Sequence, residues 1–295
     1  MPGSQPLEQA PTQSSTPAGL VPHSPFGFVS LIGAGPGCPD LITVRGLRTL
    51  QRAEVILYDA LLDPAFQDLF PAQALALPVG KRCGQASVAQ VDIHRLLLEH
   101  ARAGRRVVRL KGGDPLVFGR GGEEAQALEA AGIPFEVVPG VSALLAGAAG
   151  AGFPLTHRAV SRRITILEGH HLPDSPAAWR DLAASGGTLA VYMGTRTLQS
   201  LACGLLEHGA APDLPVALVE RAQCPGQTST FSTLAHAAAG ALHPTTAGPG
   251  LVFIGEALHH RFHATSEVTH EPTAPVSGSP REARPRGGRR ERRAS

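Results

Sequence analysis

The sequence predicts an α/β protein made of two α/β domains with mostly parallel or mixed sheets. Three observations carry that prediction. Short β-rich runs alternate with runs of helical periodicity. Several of the β-rich runs end in glycine turns, where open α/β sheets bind their ligands. The alternation is interrupted once, by "PGVSALLAGAAGAGFPLTHR" (139–158), and then resumes.

The first strands are "FVSLI" (28–32) and "EVILY" (54–58), with a further short strand before "VGKR". In "VDIHRLLLEHARAG", Ile93, Leu96, Leu97 and Ala101 follow helical spacing, and Gly104 stops the helix. "RVVRL" (106–110) is the next strand. "GEEAQALEAAG" is a helix with acids in its first turn and Gly132 as its stop, and "FEVV" (135–138) follows. The interruption reads as a small-residue helix and an extended segment, which places a domain boundary near residue 155. A second set of strands comprises "ITILE" (164–168), "TLAVYM" (188–193), "PVALVE" (215–220) and "GLVFIG" (250–255). The expected layout is therefore a tail (1–25), two α/β domains (26–155 and 156–263) and an Arg-rich tail (264–295). Both tails are aperiodic and read as disordered.

Composition excludes several classes. No apolar run approaches the roughly 20 residues of a membrane span. The first 25 residues have neither a basic start nor an apolar stretch, so no secretory signal is expected. Cys38, Cys83, Cys203 and Cys224 stand far apart without C-x-x-C spacing, which fits unpaired thiols in a reducing cytoplasm. The last fifteen residues carry seven Arg and two Glu, a net +5, while the whole chain is +2. The body is therefore slightly acidic and offers no broad nucleic-acid surface. Of the 26 basic residues only Lys81 and Lys111 are lysines. A chain this rich in Arg keeps lysine where a guanidinium will not serve, because an amine can release its proton.

"VSLIGAGPGCPD" (29–40) looks at first like a dinucleotide loop. Gly33, Gly35 and Gly37 miss the G-x-G-x-x-G spacing, and Pro36 removes an N–H that a pyrophosphate would use. The loop admits a ligand closely but is ill-suited to phosphate. "RLKGGDPLVFGRGGEE" (109–124) is the most specific stretch. Gly112 and Gly113 let backbone pass near a ligand, and Asp114 presents a carboxylate at a strand end. A plain Gly-Asp-Pro turn would account for the first part but not for the second glycine cluster. Asp59 ends "VILYD", where it is placed to bind a ribose or to cap a helix. Met193, in "VYMGT", reads by default as core. His170-His171 and His259-His260 lack zinc spacing and read as turn residues.

"GAGPGCPDLITVRG", "VILYDALL", "VGKR", "RLKGGDPLVFGRGGEE", "PGVSA", "FPLTHR", "VYMG" and "VERA" occur in that order over about residues 27–258. Together they resemble the tetrapyrrole methyltransferases. Cys38, where the family often has Asp, and Ser142, where Thr is usual, are departures. The dehydrogenase–chelatase module fused to some relatives is absent from the sequence, which implies the stand-alone form.

The resemblance implies S-adenosylmethionine (SAM) as methyl donor and no metal. It implies methylation of uroporphyrinogen III at two pyrrole carbons to give precorrin-2, for sirohaem or cobalamin synthesis. It places SAM in a cleft between the domains, against Pro36, Gly112, Gly113, Asp114, Val117, Ser142, Ala143, Met193 and Ala222. Asp59 is then the proton acceptor and Lys81 the proton donor. Arg45, Arg82, Arg120 and Arg158, in or beside the motif loops, are candidates for the substrate's carboxylates. A homodimer in the cytoplasm, without nucleic-acid or membrane partners, is implied as well. The alternatives are a later precorrin methyltransferase, an NAD-dependent oxidoreductase suggested by "GAGPG" with Asp59, and an RNA-binding protein suggested by the Arg tail.

Overall fold

Apolar residues at successive positions of one strand point to opposite faces, so a strand such as Leu31-Ile32 must be covered on both sides. The computed structural model describes residues 26–60, 62–80, 89–246 and 248–263. The expected tails, and Lys81, Arg82 and Cys83, lie outside the described residues. Five parallel strands form the first sheet: β1 (Phe28–Gly33), β2 (Val55–Tyr58), β3 (Leu75–Pro78), β4 (Arg106–Lys111) and β5 (Phe135–Val138), in the order β3-β2-β4-β1-β5.

Helices α1 (Val44–Leu50), α2 (Gln90–Arg102) and α3 (Gly121–Ala130) cover it. On one face Val29, Leu31, Leu57 and Val107 pack on Ile93, Leu97 and Ala101 of α2 and Leu128 of α3. On the other, Ile32, Ile56, Val108 and Leu110 pack on Leu50 of α1 and on Phe66 of a 3-10 turn, Pro64–Leu69. The helical spacing in "VDIHRLLLEHARAG" is thus the spacing of a buried stripe, and Gly104 ends the helix with φ +78°. Thr43 caps α1 by accepting from the Gly46 amide at 3.0 Å.

The second sheet is mixed, in the order β6-β7-β10-β8-β9. Its strands are β6 (Ile164–Glu168), β7 (Thr188–Tyr192), β8 (Pro215–Glu220), β9 (Thr228–Thr233) and β10 (Gly250–Ile254). Only β6 and β7 pair in parallel; β10 lies antiparallel between β7 and β8, and β9 closes a hairpin with β8. The hairpin partner "TSTFST" was not among the expected strands, because five of its six residues are Thr or Ser and all are half-buried. Helices α5 (Pro176–Ala184), α6 (Leu198–Glu207) and α7 (Leu234–Ala238) cover one face. Helix α4 (Ala143–Ala151) covers the other, where Leu144 and Ala148 meet Ala217, Val219, Leu251 and Phe253. Its small residues permit this approach: a Cβ on Gly147 would sit 3.2 Å from the Phe253 ring. Although α4 precedes residue 155, its packing partners belong to the second sheet.

Candidate active site

The strand order of the first sheet reverses at β1 and β4, and the loops after these two strands open side by side at the carboxyl edge. An isolated antiparallel bridge joins them: the Gly113 amide donates to the Gly35 carbonyl at 2.8 Å, and Gly35 returns the bond at 3.2 Å. Both glycines have positive φ, +82° and +68°, a conformation that costs other residues dearly. The second sheet supplies the opposite wall. The turn after β8 reaches over, and the Gln223 carbonyl accepts from the Cys38 amide at 3.2 Å and from its thiol at 2.9 Å. Burial, with Asp40 and Cys224 nearby, pushes the Cys38 thiol up to about 11.

Between the walls lies a cavity of 410 Å³. Pro36, Gly112, Gly113, Asp114 and Val117 line it from the first sheet. Ser142 and Ala143 at the start of α4, Met193 after β7 and Ala222 after β8 line it from the other side. Asp59 is on the same wall as Gly112. The nine SAM-site residues implied by the resemblance, and Asp59, therefore line one cavity; Lys81 lies outside the described residues. Positive φ at non-glycine residues marks two that line the cavity, Phe118 and Met193, and three that flank lining residues, Arg120, Arg221 and Gln223. Such strain is stored where surrounding structure holds it, and it clusters at ligand sites.

Several side chains have assignments that the sequence did not disclose. Asp59 caps no helix; that role belongs to Asp63, which accepts from the Ala65 amide at 2.9 Å. The Asp59 carboxylate is ion-paired with Arg109 through Oδ1, and Oδ2 faces the Gly112 amide at 3.4 Å. Asp114 accepts from Leu116 N (2.8 Å) and Gly140 N (3.1 Å), so it shapes its own loop as well as the cavity wall. Lys111 is buried and pairs with Glu124 at 3.0 Å; burial and the neighbouring Arg109 lower its affinity for its proton. Glu124, read from sequence as an acid favouring the helix start, is fully buried and holds Arg109 and Lys111 together.

The cavity also has walls that sequence reasoning missed. Tyr192 joins β7 to α4: its hydroxyl lies 2.6 Å from Ser142 Oγ and accepts from the Leu144 amide at 3.0 Å. Burial raises the pKa of that hydroxyl, with the Ser142 contact opposing. The Phe118 ring lies 5.1 Å from the Tyr192 ring. His170 is a turn residue, as expected, yet it lines the cavity. The segment Gly248–Pro249–Gly250 forms a further wall; its Gly-Pro-Gly pattern signals only a turn. Of the candidate arginines, Arg45 is paired with Glu136, Arg120 with Glu123, and Arg158 is exposed; none of these three lines the cavity, and Arg82 lies outside the described residues. Among the described residues, the arginine that lines the cavity is Arg196. Among the described residues no group of three or more His, Cys, Asp or Glu is placed to hold a metal ion, and no helix is long and apolar enough to cross a membrane.

The family model for tetrapyrrole (corrin/porphyrin) methylases matches residues 29–238. A siroheme synthase of Gluconacetobacter diazotrophicus is 46% identical over 237 residues, 80% of this chain and 50% of that protein. The chain thus spans about half the length of that relative. The S-adenosyl-L-methionine-dependent uroporphyrinogen III methyltransferase of Methanosarcina barkeri is 44% identical over 237 residues, 79% of this chain and 93% of its own. A solved structure of uroporphyrin-III C-methyltransferase from Thermus thermophilus, complexed with S-adenyl homocysteine, superposes with a TM-score of 0.67 at 41% identity. That superposition covers 79% of this chain and 93% of the other. With its parallel and mixed sheets and the cavity between them, the chain belongs to the tetrapyrrole methylase family.

Proposed function

We propose that the chain binds SAM in the 410 Å³ cavity and methylates uroporphyrinogen III at two pyrrole carbons, giving precorrin-2 for sirohaem or cobalamin synthesis. The single observation that carries this reading is the convergence on one cavity of the SAM-site residues marked by resemblance, from Pro36 to Ala222, together with Asp59. The activity and the ligand for which the relatives are named agree with it. SAM has no phosphate, so a loop with Pro36 in place of an N–H donor suits it better than a dinucleotide. Asp59 is engaged by Arg109 rather than standing free for a ribose, which weighs against the oxidoreductase reading.

The chemistry follows from charge and alignment. A nucleophilic pyrrole carbon forms a bond to the methyl as the methyl–sulfur bond breaks, and the electron pair leaves on sulfur as S-adenosylhomocysteine. Holding carbon, methyl and sulfur in line supplies much of the acceleration. The macrocycle then loses a proton, for which Asp59 Oδ2 is the acceptor in this reading, with Lys81 as donor in the return step. Arg196 and His170 line the cavity as polar groups able to meet the substrate's carboxylates. We also infer a homodimer in the cytoplasm, on the family resemblance; light scattering on the full chain tests the first part. Incubation with SAM and uroporphyrinogen III, followed by mass spectrometry, should show a product carrying two added methyl groups. Absence of that product, with turnover of a later precorrin instead, would transfer the activity to the next enzyme class in the family.

A further inference from the structure

We propose that Arg109, braced by Glu124, is a positioning residue that aims Oδ2 of Asp59 into the cavity. The inference rests on the reading of Asp59 as the proton acceptor and adds the device that orients it. Arg109 and Lys111 continue the row of Val107 on the α3 face of β4, and both are buried. All three guanidinium nitrogens of Arg109 donate. Nε donates to Glu124 Oε1 at 3.0 Å, and Nη1 to the carbonyls of Leu110 and Leu57 at 3.2 and 3.4 Å. Nη2 donates to Asp59 Oδ1. The fork is thus tied to β2, β4 and α3 at once and has no freedom to turn. With Oδ1 drawn toward the sheet, Oδ2 is left beside the Gly112 amide on the cavity wall.

Glu124 makes this arrangement possible. Its Oε1 also accepts from Lys111 Nζ at 3.0 Å and Gln90 Nε2 at 3.3 Å, so two cations face two carboxylates. Burial works against the Arg109 charge, but Asp59 and Glu124 outweigh it and strengthen its hold on the proton. Stability alone gives little reason to build such a cluster. Buried ion clusters break even at best against apolar packing, and Glu124 Oε2 is buried without a hydrogen-bond partner. Service to a cavity-facing carboxylate does give a reason. A lysine at position 109 would be a point charge unable to span both carboxylates.

The test uses the full chain, with turnover of uroporphyrinogen III, SAM affinity by calorimetry and thermal melting. Arg109→Lys should lower kcat by about 10²-fold, the loss that a misplacement of about 1 Å produces. SAM affinity should stay within about threefold, because an effect confined to kcat marks an interaction made in the transition state. The double variant Arg109→Gln/Glu124→Gln removes one charge of each sign, leaving Lys111 and Asp59 to offset each other, and should show the same kcat loss in a folded protein. In Arg109→Ala, free guanidinium at sub-denaturing concentration should restore turnover saturably, which a merely structural arginine would not show. Wild-type kcat in a folded Arg109→Lys or double variant, or no response to guanidinium, overturns the positioning role. Asp59→Asn separates the two layers. Full turnover there removes the Asp59 reading and this inference with it. Low turnover there beside wild-type Arg109 variants overturns this inference alone.

Discussion

Gly35 and Gly113 exchange both of their backbone hydrogen bonds, and this two-residue bridge makes a single surface of the loops after β1 and β4. The backbone packed against the crossing leaves no room for a side chain at Gly33 or Gly140. A Cβ on Gly140, which passes beneath, would fall on the Gly113 carbonyl oxygen, and one on Gly33 would meet the same atom at 2.6 Å.

Gly113→Ala and Gly140→Ala should therefore fail differently. At Gly113 the nearest atom to a new Cβ is Ala143 N at 3.7 Å, so there is room, but φ of +68° costs alanine about 1–2 kcal/mol. The methyl would also stand on the cavity wall. We expect a modest fall in melting temperature and SAM binding weaker by about 5- to 30-fold, equivalent to about 1–2 kcal/mol. Gly140→Ala should not yield a folded protein. Calorimetry and thermal melting decide; unaltered SAM affinity in Gly113→Ala removes that glycine from the site.

Asp114→Ala should cost stability as well as affinity. Its carboxylate accepts from the exposed Leu116 amide and the half-buried Gly140 amide, and losing hydrogen bonds to a charged group costs about 1.5–3 kcal/mol before water replaces them. A melting temperature equal to wild type would show that both bonds are replaced by water.

Asp59→Asn separates catalysis from binding. A lost general base lowers turnover by about 10²–10⁴-fold, and SAM affinity should be nearly intact. A collapse of SAM binding with normal turnover at saturation would make Asp59 a cofactor ligand.

Glu220 should make the fold acid-sensitive. Burial opposes its charge, but the amides and hydroxyls of Thr245 and Thr246 outweigh this and bring its pKa from 4.5 down to about 2. A depressed carboxylate pKa stabilises the fold above the unfolded value near 4.5, and that contribution is lost as pH falls toward 2. Glu220→Gln should then be less stable than wild type at pH 7, by at least about 1.5 kcal/mol for hydrogen bonds to a charged group. The gap should close between pH 4.5 and 2, as followed by urea unfolding. A gap independent of pH would assign the loss to packing.

Tyr192→Phe tests the tie between the second sheet and α4. We expect a loss of about 0.5–1.5 kcal/mol for the bonds to Ser142 and Leu144. A double-mutant cycle with Ser142→Ala should return a coupling above about 0.5 kcal/mol; additivity would mean that the two hydroxyls act separately.

Local chemistry made much of this legible. Gly33, Gly35, Gly112 and Gly113 announce strand ends and close approach, and Ile93, Leu97 and Ala101 announce a buried helix stripe. What stayed hidden was tertiary. Nothing in "RLKGGDP" says that Arg109 will meet Asp59, fifty residues earlier, because the pairing exists only once β2 and β4 are neighbours. Strand β9 was hidden for another reason: Thr228, Ser229, Thr230 and Ser232 carry no apolar alternation, and its half-buried edge position needs none. Tyr192 was overlooked beside Met193 because a cap that comes from another sheet leaves no mark on the helix it caps.

The cavity has one wall on each sheet, and the two walls touch through Cys38 and Gln223. Occupancy and cohesion are therefore one equilibrium. A ligand at a hundred times its Kd adds about 2.7 kcal/mol against unfolding, and it adds this across the seam. If that ligand is the SAM of the proposed function, a chain starved of it should unfold more readily and be degraded sooner, so that its abundance follows the supply of its methyl donor.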